Sequence, residues 1–99
     1  IMNFSQVMQS QLIVTYTKDL THLKYGSLSK WSLYSNFEVK YEWRCPEKDS
    51  YRKQEIAFEN LPLEIQILVA QKAIKSPLLK TLDDEKQLML VHLAVMNNQ

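Results

Sequence analysis

The 99-residue sequence is poor in the residues that build several common kinds of site, since it has one cysteine, one glycine and three prolines. A single cysteine, Cys45, excludes an intramolecular disulfide and a cysteine-rich zinc site. One glycine excludes a glycine-rich phosphate loop, and the scarcity of glycine and proline excludes collagen-like and linker-like chains. The lone cysteine, and the lack of a basic, apolar leader in residues 1–11, favour a cytoplasmic protein.

Charge of one sign and long hydrophobic runs are also lacking. The formal net charge is +1, although residues 24–53 carry seven basic side chains against four acidic ones. The longest apolar stretch, residues 88–96, is too short to cross a bilayer. Hydrophobic residues make up 45% of the chain, which is typical of globular proteins, and the length suits one domain, so we expect residues 1–99 to form a single domain.

The first segment carries two conflicting signals. Apolar residues recur every fourth position, which favours a helix over about residues 4–24, with Gly26 placed to end it. Within that range, however, residues 12–17 are rich in strand formers. Because the helical stripe is the longer pattern, we predict a helix, with a strand as the alternative. The stripe consists of Phe4, Met8, Leu12, Tyr16 and Leu20.

The middle segment alternates with the period of a β-strand. From Trp31 to Trp43 the odd positions are mostly apolar and the even positions polar, with a bend expected near Ser35 and Asn36. Turn-forming residues follow Cys45, and alternation resumes from Tyr51. The sequence therefore predicts an antiparallel hairpin of about 30–44 and 51–59.

Two helices are predicted in the last forty residues, over about 62–75 and 82–96. Strong helix formers at residues 70–73 favour the first, and three acidic residues at 83–85 are typical of the first turn of the second. The hairpin needs a cover for its apolar face, since an isolated hairpin is barely stable in water. We therefore predict a two-layer α+β domain in which the hairpin packs with the N-terminal helix and both C-terminal helices.

Catalytic and metal-binding motifs are not recognisable. A catalytic cysteine–histidine pair would have to combine Cys45 with His22 or His92, and no sequence motif links these residues. The acidic cluster at 83–85 is explained by the helix dipole, and the two histidines lack the spacing of metal ligands. We expect no enzymatic activity, no cofactor and no metal.

The last helix is hydrophobic almost all the way around. A two-layer domain can bury only one such helix on all sides. The preceding helix is nearly as apolar, so the two helices cannot both occupy the central position. The surplus surface favours contact with another chain, most simply a second copy in a homodimer. The residues predicted to mediate self-association are Leu88, Leu90, Val91, Leu93, Val95 and Met96.

The polar face of the hairpin is the predicted surface for a different protein. This pattern suits a small regulator, adaptor or inhibitor, and ten lysines against two arginines indicate an AT-rich coding sequence of the kind found in phage or accessory genes. The alternative is a single-stranded nucleic-acid binder that uses the aromatic and basic side chains of the same face. The predicted partner-binding residues are Tyr34, Lys40, Arg44, Tyr51 and Arg52.

Overall fold

The computed structural model describes residues 10–19, 27–45 and 50–96. Over these residues the chain is an α+β protein, as predicted, with an antiparallel sheet whose spatial order follows the chain order. The elements are β1 (Leu12–Lys18), β2 (Ser29–Tyr34), β3 (Glu38–Cys45), β4 (Ser50–Ala57), α1 (Leu63–Ala73) and α2 (Asp84–Met96). Helices α1 and α2 lie within the ranges predicted for the two C-terminal helices.

The predicted N-terminal helix over about 4–24 is wrong where the structure describes it, because residues 12–18 form β1. This strand pairs antiparallel with β2, and the register shifts between Leu12 and Val14, which makes Ile13 a bulge. β-branched residues fit a pleated surface better than a helix, and here the edge of β2 offers them a pairing partner. Residues 4–9 and 20–24 of the predicted helix lie outside the described residues.

The predicted strand over about 30–44 is two strands, because the expected bend is a complete reversal. The backbone N–H of Phe37 donates to the carbonyl of Tyr34 at 2.8 Å, and the Asn36 side chain accepts from the N–H of Glu38 at 3.0 Å. Phe37 has a φ of 62°, in the left-handed region that is costly for a bulky residue. Its ring packs on Phe58 with centroids 4.9 Å apart, and this contact holds the turn.

The second predicted strand, 51–59, corresponds to β4 and a short 3-10 turn at Phe58–Asn60. β4 pairs with β3 along its whole length, from Cys45 opposite Ser50 to Glu38 opposite Ala57. The expected turn residues, 46–49, lie outside the described chain. β4 is an edge strand, and most of its side chains are exposed.

The hydrophobic core lies between one face of the sheet and α1. Helix α1 contacts β1 and β2, whereas α2 packs mainly against α1. On the sheet, Trp31 stacks on Tyr41 with ring centroids 4.8 Å apart, and Tyr41 stacks on Trp43 at 5.2 Å. The core residues of the described chain are Ile13, Trp31, Leu33, Val39, Tyr41, Phe58, Leu61, Ile65, Val69, Ala70, Ala73, Leu82, Leu90, Leu93 and Ala94.

The connection between the helices is fixed by side-chain hydrogen bonds. The hydroxyl of Ser76 donates to the carbonyl of Ile13 at 2.7 Å and accepts from the N–H of Leu78 at 3.1 Å. At the start of α2, the Asp83 carboxylate accepts from the backbone N–H of Lys86 at 2.9 Å, which satisfies one of the free donors of the first turn. These bonds fix where α2 begins and therefore which of its faces meets α1.

Candidate interaction surfaces

Helix α2 has one buried face and one exposed apolar face. Leu90, Leu93 and Ala94 are buried, and their spacing places them on a single stripe that packs into the core. The opposite stripe forms a shallow groove of about 520 Å³, and Leu88, which lines it, is 70% exposed. We call this surface the α2 groove. It is lined by Glu85, Leu88, Met89, Val91, His92 and Val95.

The structure divides the residues predicted for self-association. Leu88, Val91 and Val95 lie together in the α2 groove and are exposed. Leu90 and Leu93, in contrast, are 0% and 7% exposed, so these two side chains belong to the core of the chain and are not available to a second copy. Met96 is half-buried against the same core.

Sequence reasoning missed three residues of the groove: Glu85, Met89 and His92. The helical period could have identified these three residues, because residues three and four positions apart lie on the same face of a helix. Once Leu90, Leu93 and Ala94 are taken as the buried stripe, that period places Leu88, His92 and Val95 on the opposite side. The sequence does not say which of two apolar stripes faces inwards, and the structure decides it.

The sheet has a second face that is turned away from the helices, and we call it the open face. The core-facing side of the sheet carries Trp31, Leu33 and Val39. The residues that alternate with them along the strands therefore lie on the open face. A shallow depression lies on this side, bordered chiefly by three lysines, a serine and two glutamates. These residues are Lys30, Ser32, Lys40, Glu42, Lys53 and Glu55.

The structure brings four of the five predicted partner-binding residues to the open face and excludes the fifth. Tyr34 and Lys40 are neighbours there, and Arg44 lies opposite Tyr51 across the β3–β4 pair. Arg52 lies opposite Trp43, on the core side of the sheet. The prediction for Arg52 is therefore wrong in placement, because neighbouring residues of a strand point to opposite faces.

The open face carries charges of both signs, and one oppositely charged pair is in contact there. The ammonium of Lys40 lies 4.9 Å from the centre of the Tyr34 ring, a distance suited to a cation–π contact. The ammonium of Lys53 lies 3.8 Å from the carboxylate of Glu42 on the neighbouring strand. A surface that mixes charges in this way is better matched to a protein with a mixed surface than to a uniformly anionic polymer.

Most aromatic residues of the middle segment are committed to the core. Trp31 and Tyr41 are buried in the stacked ladder with Trp43, so their faces are covered by one another and by neighbouring core residues. On the open face the described aromatic side chains are Tyr34 and Tyr51, of which Tyr51 is 60% exposed. Base stacking on several successive rings therefore has little support on this face.

The described residues contain neither a metal-binding cluster nor a membrane-spanning helix. Among residues 10–19, 27–45 and 50–96, no group of three or more histidine, cysteine, aspartate or glutamate side chains could hold a metal ion. Neither α1 nor α2 combines the length and the hydrophobicity that crossing a bilayer requires. Cys45 is a partly exposed free thiol at the end of β3.

Comparison with known proteins adds no relative to these observations. No protein-family model matches the chain, and neither a curated protein nor a solved structure matches it significantly. Function is therefore inferred from the two surfaces of the chain itself.

Proposed function

We propose that this chain is a non-enzymatic protein-binding module that acts as a homodimer. The α2 groove serves as the surface between the two copies, and the open face of the sheet receives the partner protein. The observation that carries the proposal is the exposure of Leu88, Met89, Val91 and Val95 on one side of a helix. Contiguous apolar surface of this kind marks interaction sites on proteins.

The size of the groove sets the strength of the expected dimer. Full burial of one apolar side chain contributes about 1.5–3 kcal/mol to the free energy of association. Each of the four half-exposed side chains therefore contributes about 1 kcal/mol, which gives about 8 kcal/mol over the two copies. Association costs at least about 4 kcal/mol in lost freedom. The net gain of about 4 kcal/mol corresponds to a dissociation constant of about 1 mM, and additional contacts at the rim of the groove would lower it towards about 10 µM.

Sedimentation velocity across that concentration range tests the dimer. We expect the weight-average sedimentation coefficient to rise with concentration for the natural chain, and Leu88→Ser to abolish the rise, since Leu88 is the most exposed of the apolar groove residues. Leu63→Ser is the matched control, because Leu63 is an exposed leucine on α1 outside the groove. A natural chain that stays monomeric, or equal weakening by both substitutions, would rule the dimer surface out.

The proposal for the open face is supported by its mixed charges and by Tyr34 and Tyr51. Affinity capture from an extract of the source organism, with Arg44→Ala and Arg52→Ala compared, tests it. Both substitutions remove one arginine from an exposed position, but only Arg44 lies on the open face. We expect Arg44→Ala to weaken capture of a partner at least several-fold and Arg52→Ala to leave it unchanged. Equal effects would contradict this assignment.

Single-stranded nucleic acid is the alternative ligand of the open face. The observation in its favour is that Lys30, Lys40 and Lys53 border one depression, although Glu42 and Glu55 border it too. Phosphate contacts make affinity strongly salt-dependent. Titration of a labelled single-stranded oligonucleotide at low and at physiological salt decides: salt-sensitive binding favours this alternative, and no binding at low salt excludes it.

A further inference from the structure

The α2 groove contains two polar side chains in an otherwise apolar lining. Glu85 and His92 are seven residues apart, which is about two helical turns or 10.5 Å along the axis, and Leu88 and Met89 lie between them. The groove is thus apolar at its centre, with a carboxylate towards the start of the helix and an imidazole towards its end. Any occupant that covers the whole groove must give both polar groups a partner.

We propose that the occupant is a second copy of the chain whose α2 runs antiparallel to the first. The two-fold axis passes between Leu88 and Met89, so that the Glu85 carboxylate of each copy accepts a hydrogen bond from the His92 imidazole of the other. This inference rests on the proposed dimer and specifies its geometry. The imidazole carries an N–H donor in either protonation state, so the pair forms with neutral or charged histidine.

The arrangement of the groove is self-complementary only in this direction. With antiparallel helices and the axis between residues 88 and 89, residue 85 is level with residue 92 of the second copy, and the two bonds are symmetry-related. The most exposed leucine, Leu88, then meets Met89 of the second copy at the centre. Parallel helices would instead place carboxylate against carboxylate and align the two helix dipoles unfavourably.

Cysteine cross-linking tests the direction of the helices. In a Cys45→Ser background, chains with Glu85→Cys and chains with His92→Cys are oxidised separately and then as an equal mixture. We expect a disulfide-linked dimer in the mixture that contains one chain of each kind, because a disulfide requires Cα atoms within about 7 Å. Cross-linking of Glu85→Cys with itself would indicate parallel helices and overturn the proposal.

The dissociation constant of the dimer provides a second readout. Glu85→Ala should raise it at least about fivefold, which is the effect of losing two hydrogen bonds, one per copy, at the weak end of their usual range. Asp84→Ala, an exposed acid of the same helical turn that does not line the groove, should leave it nearly unchanged. Tighter association of Glu85→Ala would again overturn the antiparallel pair.

The outcomes separate this geometry from the proposed function. If the natural chain stays monomeric to about 1 mM, the dimer itself fails, because its dissociation constant then lies above the range that the apolar surface of the groove supports. If it dimerises and Leu88→Ser prevents this, but the mixed cysteine variants do not cross-link, only the antiparallel geometry is wrong.

Discussion

The two helices of the described residues, α1 and α2, are similar in composition but differ in environment. Helix α1 buries Ile65, Val69, Ala70 and Ala73 against the sheet, with each of these residues at most 1% exposed. Helix α2 buries a narrower stripe against α1 and leaves its other apolar stripe open, with Leu88 the most exposed of the apolar residues there. Hydrophobicity alone therefore does not determine which helix is central.

The difference follows from the place of each helix in the chain. The end of β4 leads through the 3-10 turn directly into α1, and α1 lies against the apolar face of the sheet. The connection that follows is tied to the bulge of β1 by Ser76, which leaves α2 to pack on the outside of α1. An outer helix touches its neighbour along one stripe only, and apolar residues elsewhere on it remain available for another chain.

The largest expected effect comes from the centre of α1. Ile65→Ala removes a fully buried side chain between α1 and the sheet, and we expect it to lower the free energy of unfolding by about 3 kcal/mol. Leu63→Ala, two residues earlier on the exposed side, should cost less than about 0.5 kcal/mol. Urea titration followed by circular dichroism measures both. Similar losses would mean that the two faces of α1 do not differ in burial.

A smaller contrast is expected within α2. Leu90→Ala should lower the free energy of unfolding by about 2 kcal/mol, because Leu90 is buried but lies in the outer helix, whose surroundings relax more easily. Leu88→Ala should change the stability of the dilute monomer by less than about 0.5 kcal/mol. Urea titrations at a concentration below that of dimer formation make the comparison. If Leu90→Ala costs nothing, α2 does not belong to the cooperative core.

The sequence predicted only part of the contrast between α1 and α2. The α+β class, the ranges of both helices and the apolar alternation of Trp31, Leu33 and Val39 could be predicted from periodicity, because burial on one face imposes the period of the element. The sequence also indicated that two apolar helices compete for one slot. The sequence did not indicate which helix is buried against the sheet, since that depends on how the chain enters each helix.

The missed strand β1 shows how a periodic signal misleads. A spacing of four residues, as between Leu12 and Tyr16, is close to a helical turn and also twice the strand period, so it fits both elements. In the structure the bulge at Ile13 places Leu12 opposite Tyr34 and Tyr16 opposite Trp31. The β-branched residues between them were the better local guide, and pairing with β2 decided the outcome.

The missed turn between β2 and β3 has a different cause. Turns are recognised by glycine, proline or asparagine followed by glycine, and here the left-handed position is occupied by Phe37. The packing of its ring on Phe58 compensates for the backbone conformation, and that contact joins residues far apart in sequence. The same alternation continues through the turn, so a single long strand and a hairpin have identical patterns of apolar residues.

The smallest predicted effect concerns the serine that directs α2 to the outside of α1. Ser76→Ala removes the hydroxyl that donates to the carbonyl of Ile13 and accepts from the N–H of Leu78, and it should lower the free energy of unfolding by about 1 kcal/mol. Thr81→Val is the matched control, because the Thr81 hydroxyl donates only locally, to the carbonyl of Leu78. We expect the control to cost clearly less, since that carbonyl lies in an exposed turn that water can reach. Urea titration of both variants measures the difference. Equal losses would mean that the bond to β1 contributes no more than a local, exposed hydrogen bond, and the path of the connection would then depend on the packing of Leu79 and Leu82.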